Sequence, residues 1–424
     1  MIRINKKECI HYFLIYFMII LNQSCFYEYF IDGGGVRFLI LCITAILMLL
    51  NFKNDYGYYF LVAIMFLFFV VITRIISGGI GLFAWIIWIL PLLFTVYTIN
   101  YDKEYFFDRF LKISFILAIV GIVFFLIQVL NPEYLKKILF FKYDTKFINK
   151  IWTEDYSNFS LVNQKGFGLF LFSYRPYGDS LLRNKSIFTE SGIAQMIFNI
   201  SIIICLFFSD KLHISQKLLK KYLLAFILSV ITIQSTTGYI VLLIILLGYL
   251  INKNKFNKKH NFKIFIVAIL FFICSFLLID FFMRDSDSFI SVAILEKFIN
   301  GNTVELSGSG MSRIDSIMIS IEAMLKNPVG IGSDKLWAQI SDLAGGGGGL
   351  LVFGATVGIV PLLTCIYIYI HPIFKNQEIT FVTKMLIVII TMYILLAQTT
   401  PFYSIMLILP IYFSKNKVYK IVKR

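Results

Sequence analysis

Long apolar runs separated by short polar breaks organise this chain. They are Ile10–Phe30, Val36–Phe52, Tyr58–Ser77, Ile80–Ile99, Phe110–Leu130, Gly192–Phe208, Leu218–Ile233, Gly238–Ile251, Phe262–Phe282, Gly347–Ile370, Ile379–Ala397 and Pro401–Phe413. Apolar windows of ~17–25 residues suit helices that cross a bilayer, whereas a barrel would alternate in segments of ~10 residues. The pattern predicts an all-α fold, a polytopic bundle of about twelve spans. The short pair Leu218–Ile233 and Gly238–Ile251 fits either two spans or a re-entrant pair. Two long polar stretches interrupt the pattern, Asn131–Ser191 and Met283–Gly346. The chain therefore divides into an N-terminal bundle of about five spans (1–130), a first loop (131–191), central spans (192–282), a second loop (283–346) and C-terminal spans with a basic tail (347–424).

Composition agrees with the pattern. Hydrophobic residues are 59% of the chain and charged residues 15%, against roughly half and a quarter in soluble domains. The mean hydropathy is +0.82. The first run follows Arg3, Lys6 and Lys7 as a signal peptide would, but it is too long and lacks a small-residue cleavage site, so it reads as a retained span.

Charge then sets orientation. Lys and Arg concentrate at the N-terminus, in Asp210–Lys221, in Lys253–Lys263 and in Lys415–Arg424. Short basic loops stay in the cytoplasm, which places both termini inside and both long loops outside a bacterial inner (cytoplasmic) membrane. The first long loop is itself Lys-rich, but loops of about sixty residues escape that rule. The net charge of +15 is then a topology signal and an attraction to anionic lipid, with no nucleic-acid motif beside it. All six cysteines lie in or beside spans, and nothing has metal-ligand spacing, so neither an outer disulfide nor a metal or other cofactor is expected. Ionisable residues such as Glu28, Asp32, Arg37, Arg74, Asp280 and Arg284 cluster at span ends, which disfavours a proton- or ion-coupled transporter. His11, His213, His260 and His371 all fall on the cytoplasmic side, leaving no outer histidine for a zinc site or a base.

Three polar motifs remain, all on the expected outer face. The first runs from Arg183 through Lys185 and Phe188 to Glu190, with Ser191 as expected N-cap of the following helix. Here Glu190 is either a partner of the helix dipole beside a solvated Arg183 and an interfacial Phe188, or it lies near a sugar hydroxyl while Arg183 reaches a phosphate, with Arg175 and Lys185 enlarging that anion site. The second starts at Ser312 and Arg313. Ile314, Ile317, Met318 and Ile321 repeat at helical spacing opposite Arg313, Ser316 and Ser320, and Asn327-Pro328 is the stop. This amphipathic helix is a structural brace, or a brace that presents Arg313 to the span ends. The third, Gln234-Ser235-Thr236-Thr237-Gly238, is a tight turn or the lining of a polar cavity. Gly345–Gly349 is likewise a hinge or a backbone nest for pyrophosphate. Trp152, Tyr156, Tyr174, Tyr177 and Trp337 suit sugar stacking and interfacial anchoring equally.

On these residues the chain resembles the Wzy-type repeat-unit polymerases of the O-antigen polymerase and ligase superfamily, and through them the GT-C-type glycosyltransferases. The first signature reads Arg183, Phe188, Glu190, with Ser191 where many members carry Pro. The second reads Arg313, Asn327-Pro328, Gly330-Ile331-Gly332, and Ser235–Gly238 is also similar to the family. The resemblance implies a metal-independent transfer between two polyprenyl-pyrophosphate-linked glycans at the outer leaflet. Membrane lipids, a chain-length regulator and a flippase are its further implied partners. It implies catalytic roles for Arg183, Glu190 and Arg313, the arginines on phosphate and the glutamate on the acceptor hydroxyl. Arg175, Lys185, Ser235, Thr236, Thr237, Asp334 and Trp337 are the substrate-binding candidates. The rivals are an O-antigen ligase, which resembles this family but typically relies on an outer histidine that this chain lacks, and a lipid-linked oligosaccharide flippase or transporter.

Overall fold

The computed structural model describes residues 5–27, 31, 34–51, 53–78, 80–81, 84–139, 141–150, 159–174, 183–252, 309–340, 348–398 and 401–414. Among these the chain is mostly helical, with fifteen α-helices. They are α1 (Lys6–Ile20), α2 (Gly34–Leu50), α3 (Asn54–Ser77), α4 (Ala84–Tyr101), α5 (Phe106–Leu130), the short α6 (Pro132–Ile138), α7 (Ser191–Phe207), α8 (Gln216–Ile233), α9 (Thr236–Ile251), α10 (Ser309–Lys326), α11 (Ser333–Ile340), α12 (Gly349–Val357), α13 (Ile359–Lys375), α14 (Phe381–Ala397) and α15 (Ser404–Phe413). Two stretches are long and apolar enough to cross a membrane, Tyr56–Ser77 in α3 and Phe106–Leu130 in α5, and seven shorter helices are equally apolar. The expected span Phe262–Phe282 lies outside the described residues.

The helices pack side by side around α7, whose residues from Ile193 to Phe207 are all buried. Helix α7 contacts α5, α8, α9 and α15, while α4 contacts α1, α2, α3 and α15. The outer surface is reversed from that of a soluble protein: Leu39 and Leu50 on α2, and Leu61, Ile64 and Ile75 on α3, stand exposed. A continuous apolar exterior of this kind suits lipid.

Charge sorts to one end of the bundle. There Arg109 Nη1 donates to Asp102 Oδ2 at 2.6 Å and to Nδ1 of buried His11 at 2.6 Å. Asp108 accepts from both the backbone N–H (3.0 Å) and Nδ1 (2.8 Å) of His213, and Lys211 pairs with Glu378. Since arginine only donates, His11 Nδ1 accepts, and its Nε2 faces the Thr98 carbonyl as the donor at 3.1 Å. Burial pushes the Asp102 carboxyl up, but its hydrogen bond and charge pairing with Arg109 outweigh this and hold it below the usual range. Burial takes the Lys103 amine down to about 8, and neighbouring Lys211 adds to the shift. This basic end also holds the described histidines, His11, His213 and His371.

The opposite end carries the loops. The expectation of an all-helical chain misses a three-stranded antiparallel sheet there, β1 (Phe141–Lys150), β2 (Phe159–Leu169) and β3 (Phe172–Tyr174). Phe141 pairs with Gly168, and Phe167 with Tyr174. The alternation Phe141-Lys142-Tyr143-Asp144 has the period of two that a strand needs.

Two further features matter. Helices α8 and α9, of 18 and 16 residues, form a pair joined by a turn at Gln234–Ser235. The run Gly347–Ile370, expected as one span, is broken at Gly358. Its φ is +102°, and a Cβ there would lie 2.7 Å from the Pro328 carbonyl oxygen. Helix α12 consequently lies along the loop end. Gly348 and Gly349 donate to the carbonyls of Leu396 (2.9 Å) and Gln398 (2.6 Å), while Ile359 donates to Pro328 (2.9 Å). Thr73 and Ser77, near the loop end of α3, hold the carbonyls of Val329 and Gly330.

Candidate functional site at the loop end

The first arginine motif is a buried plug. Asn184 through Thr189 are all buried, and Lys185 is only 6% exposed. Backbone pairing fixes the segment. Asn184 N–H donates to Thr232 O at 3.0 Å, Cys25 N–H to Ile187 O at 2.9 Å, and Thr189 N–H to Gln23 O at 3.1 Å. Gly121 on α5 is required where the plug passes, since a Cβ there would sit 3.1 Å from Asn184 Oδ1. Phe188 is fully buried, so it is a core residue and not an interfacial anchor. Glu190, half-buried at the start of α7, keeps the position that a dipole partner needs.

Arg183 emerges from the plug above the start of α7, where its Nη1 donates to Ser191 Oγ at 3.4 Å. Its buried Nε has no hydrogen-bond partner among the described residues. Glu190, not Ser191, occupies the N-cap position of α7, and its backbone carbonyl accepts from Ile193 and Ala194. Ser191 is the first helical residue, one place later than expected, because extended geometry persists through Glu190 (φ −126°, ψ 139°).

Three helix N-termini meet at this point. The start of α9 abuts α7: a Cβ at Gly238 would come within 2.9 Å of Gln195 Cβ. Ser235 caps α9, accepting from Gly238 N–H at 3.4 Å, and the Gln234 backbone turns the chain in the left-handed region (φ 53°). The start of α12 is tied in through Gln398, whose carbonyl takes the Gly349 N–H and whose side-chain amide stands 3.0 Å from a Cβ at Gly192. Helix N-termini carry partial positive charge and unpaired N–H groups. Three of them beside an arginine concentrate positive potential at this end of the bundle.

An amide ladder descends from the convergence along α7. Gln195 Nε2 donates to Gly192 O at 3.0 Å, and Asn199 Nδ2 donates to Gln195 Oε1 at 2.8 Å. Among the described residues the buried Asn199 Oδ1 and Gln234 Oε1 have no partner. Sequence reasoning passed over Gln195, Asn199 and Gln398 because it searched the spans for ionisable groups. The available signal was two amides four residues apart on one face of an apolar run.

The second arginine motif arrives from the side. A Cβ at Gly348 would lie 3.1 Å from Ile317 Cγ1, and one at Gly354 would lie 2.6 Å from Met324 Sδ, so α10 runs parallel to α12. Arg313 lies one helical turn, about 6 Å, before Ile317 and thus beside the start of α12. Helix α10 begins at Ser309, a turn earlier than Ser312, and stops at Lys326 as Asn327-Pro328 requires. Both expected faces are present. Ser316 and Ser320 are fully buried, while Met318 is 61% and Leu325 74% exposed. Gly348 and Gly354 let α10 approach α12 closely, as small residues do between packed helices.

The substrate-binding candidates divide by position. Ser235, Thr236 and Thr237 lie at the convergence, and Lys185 lies in the plug. Asp334 is exposed on α11, whose approach is fixed by Gly332 N–H on Thr356 O at 3.1 Å. That is the far end of α12, about 12 Å from Gly348 by helical rise. Trp337 shares α11. Arg175 lies outside the described residues, as do the side chains of Arg313 and Trp337. Among the described residues no group of His, Cys, Asp and Glu could hold a metal.

No protein-family model matches the chain, and no curated protein matches it.

Proposed function

We propose that this chain is a multi-pass membrane glycosyltransferase. It polymerises polyprenyl-pyrophosphate-linked oligosaccharide repeat units into an O-antigen or capsular polysaccharide. In this reading about twelve spans cross the cytoplasmic membrane, as the apolar run lengths require. The basic end faces the cytoplasm and the loop end the outer leaflet. The observation that carries the reading is the meeting of α7, α9 and α12 N-termini beneath Arg183, with the start of α10 and its Arg313 alongside.

The reaction is a substitution at the anomeric carbon. An acceptor hydroxyl oxygen on one lipid-linked unit attacks the reducing-end carbon of the growing chain. The bond from that carbon to the pyrophosphate oxygen breaks, and the lipid pyrophosphate leaves with the electron pair. Glu190, at the cap of α7, takes or orients the hydroxyl proton. Two arginines and three helix dipoles stabilise the departing charge, and bidentate guanidinium geometry matches phosphate. Pyrophosphate is already a good leaving group, so positioning and charge stabilisation are the main tasks.

The test is elongation in vitro with purified protein and lipid-linked repeat unit, read as a glycan ladder. Arg183→Ala and Arg313→Ala are each expected to lower elongation by about 100-fold or more. Normal ladders from both variants, correctly inserted, would overturn the assignment.

A further inference from the structure

A second site lies at the basic end, away from the convergence. An open groove of about 330 Å3 between α3 and α13 is lined by Tyr58, Tyr59, Tyr367, His371, Lys375 and Ser414, with Ile368 and Pro372 as its floor. His371 stacks on Tyr367, ring centroids 4.5 Å apart and planes within 16°, and Tyr58 meets Tyr59 edge-on at 5.1 Å. Tyr367, His371 and Lys375 are spaced by four, so one face of α13 presents them together. No carboxylate lines the groove among the described residues.

Beyond the groove, toward the loop end, α3 and α13 stay side by side with apolar residues along the seam. Tyr58, Leu61, Met65 and Phe68 follow helical spacing on α3, as do Val360, Thr364, Tyr367 and His371 on α13. The two rows meet where Thr364 Oγ1 lies 3.7 Å from Met65 Sδ. Leu61, Phe68, Val360 and Leu363 stand exposed beside that seam. A cationic, aromatic bowl at one end with exposed aliphatic walls behind it has the polarity of one ligand class.

We propose that this groove binds an anionic glycerophospholipid, its phosphate on Lys375 and the tyrosine hydroxyls, its acyl chains along the α3–α13 seam. The inference shares with the proposed function only the placement in a bilayer, since neither Arg183 nor Arg313 takes part.

The test uses full-length protein stripped of lipid in detergent and titrated in native mass spectrometry. The probes are phosphatidylglycerol, phosphatidylcholine of the same chains, and inorganic phosphate. One retained phosphatidylglycerol is expected, bound more tightly than phosphatidylcholine and not displaced by equimolar phosphate. Lys375→Gln should weaken it about fivefold, the value of one lysine near a membrane surface. Lys375→Arg should retain it, and Lys217→Gln, an exposed lysine on α8 at the same end, should change nothing. Tyr367→Ala should weaken both lipids. Equal binding of the two lipids would overturn the proposal, as would displacement by phosphate or equal losses in Lys375→Gln and Lys217→Gln. Elongation activity does not enter the readout, so failure of the polymerase reading leaves this result standing.

Discussion

The two ends of the bundle treat polar groups in opposite ways. At the basic end Arg109 is closed by Asp102 and His11, Asp108 by His213, and Lys211 by Glu378. At the loop end the buried polar set is Lys185 and a group of amides near Arg183, and Arg183 Nε, Asn199 Oδ1 and Gln234 Oε1 lack protein partners among the described residues. A buried polar atom without a partner costs roughly 1–3 kcal/mol. Closed charges brace helices, whereas open polar atoms are retained where something else completes them.

The comparison breaks first at Arg109. Removing one member of a buried ion cluster strands the other, so Arg109→Ala should destabilise the protein by about 3–5 kcal/mol. The check is thermal unfolding in detergent, with activity per folded molecule preserved. If elongation falls while the unfolding temperature holds, the basic end is more than a brace. A smaller loss of stability is expected on α7. Asn199→Leu removes an acceptor that lacks a partner but also the donor to buried Gln195 Oε1, so a loss of about 1–3 kcal/mol is expected. Elongation should also drop by about tenfold or more, because the amide ladder positions Gln195 beneath the helix ends. A variant that melts early with normal turnover would make the ladder structural.

The smallest effect is on pH dependence. Burial holds the Lys103 amine at about 8 in the folded protein, against 10.5 for an ordinary lysine. Above the folded value the native state has released a proton that the unfolded chain still holds, so stability rises with pH from about 8 to about 10.5. Lys103→Met should flatten that rise in detergent unfolding curves. Asp102 works in the other direction: its folded pKa is depressed, so its contribution is present above the unfolded value and is lost as pH falls through the folded one. A stability curve unchanged by Lys103→Met would assign the alkaline rise to other groups.

Much of the scaffold was legible because apolar run length is set by the same solvent that packs the helices. The α8–α9 pair and the stop of α10 at Asn327-Pro328 follow directly from run length and proline chemistry. The break at Gly358 was hidden inside a continuous apolar run, since only a positive φ separates α12 from α13. The sheet was missed because its period-two pattern is short beside the helical signal. The two faces of α10 were legible in the sequence, and the serine face is the buried one. At the site, Arg183 and the Ser235 turn were visible as polar interruptions. The meeting of three helix starts was not, because Gly192, Gly238 and Gly349 become neighbours only through tertiary packing.

The plug also has a history in time. Thr189 donates to the carbonyl of Gln23 across 166 residues of chain. Ribosomes add about 5–20 residues per second, so the turn after the first helix waits roughly ten to thirty seconds for its backbone partners. During that interval the early helices wait with an unfinished edge, which stays open until the middle of the protein has been made.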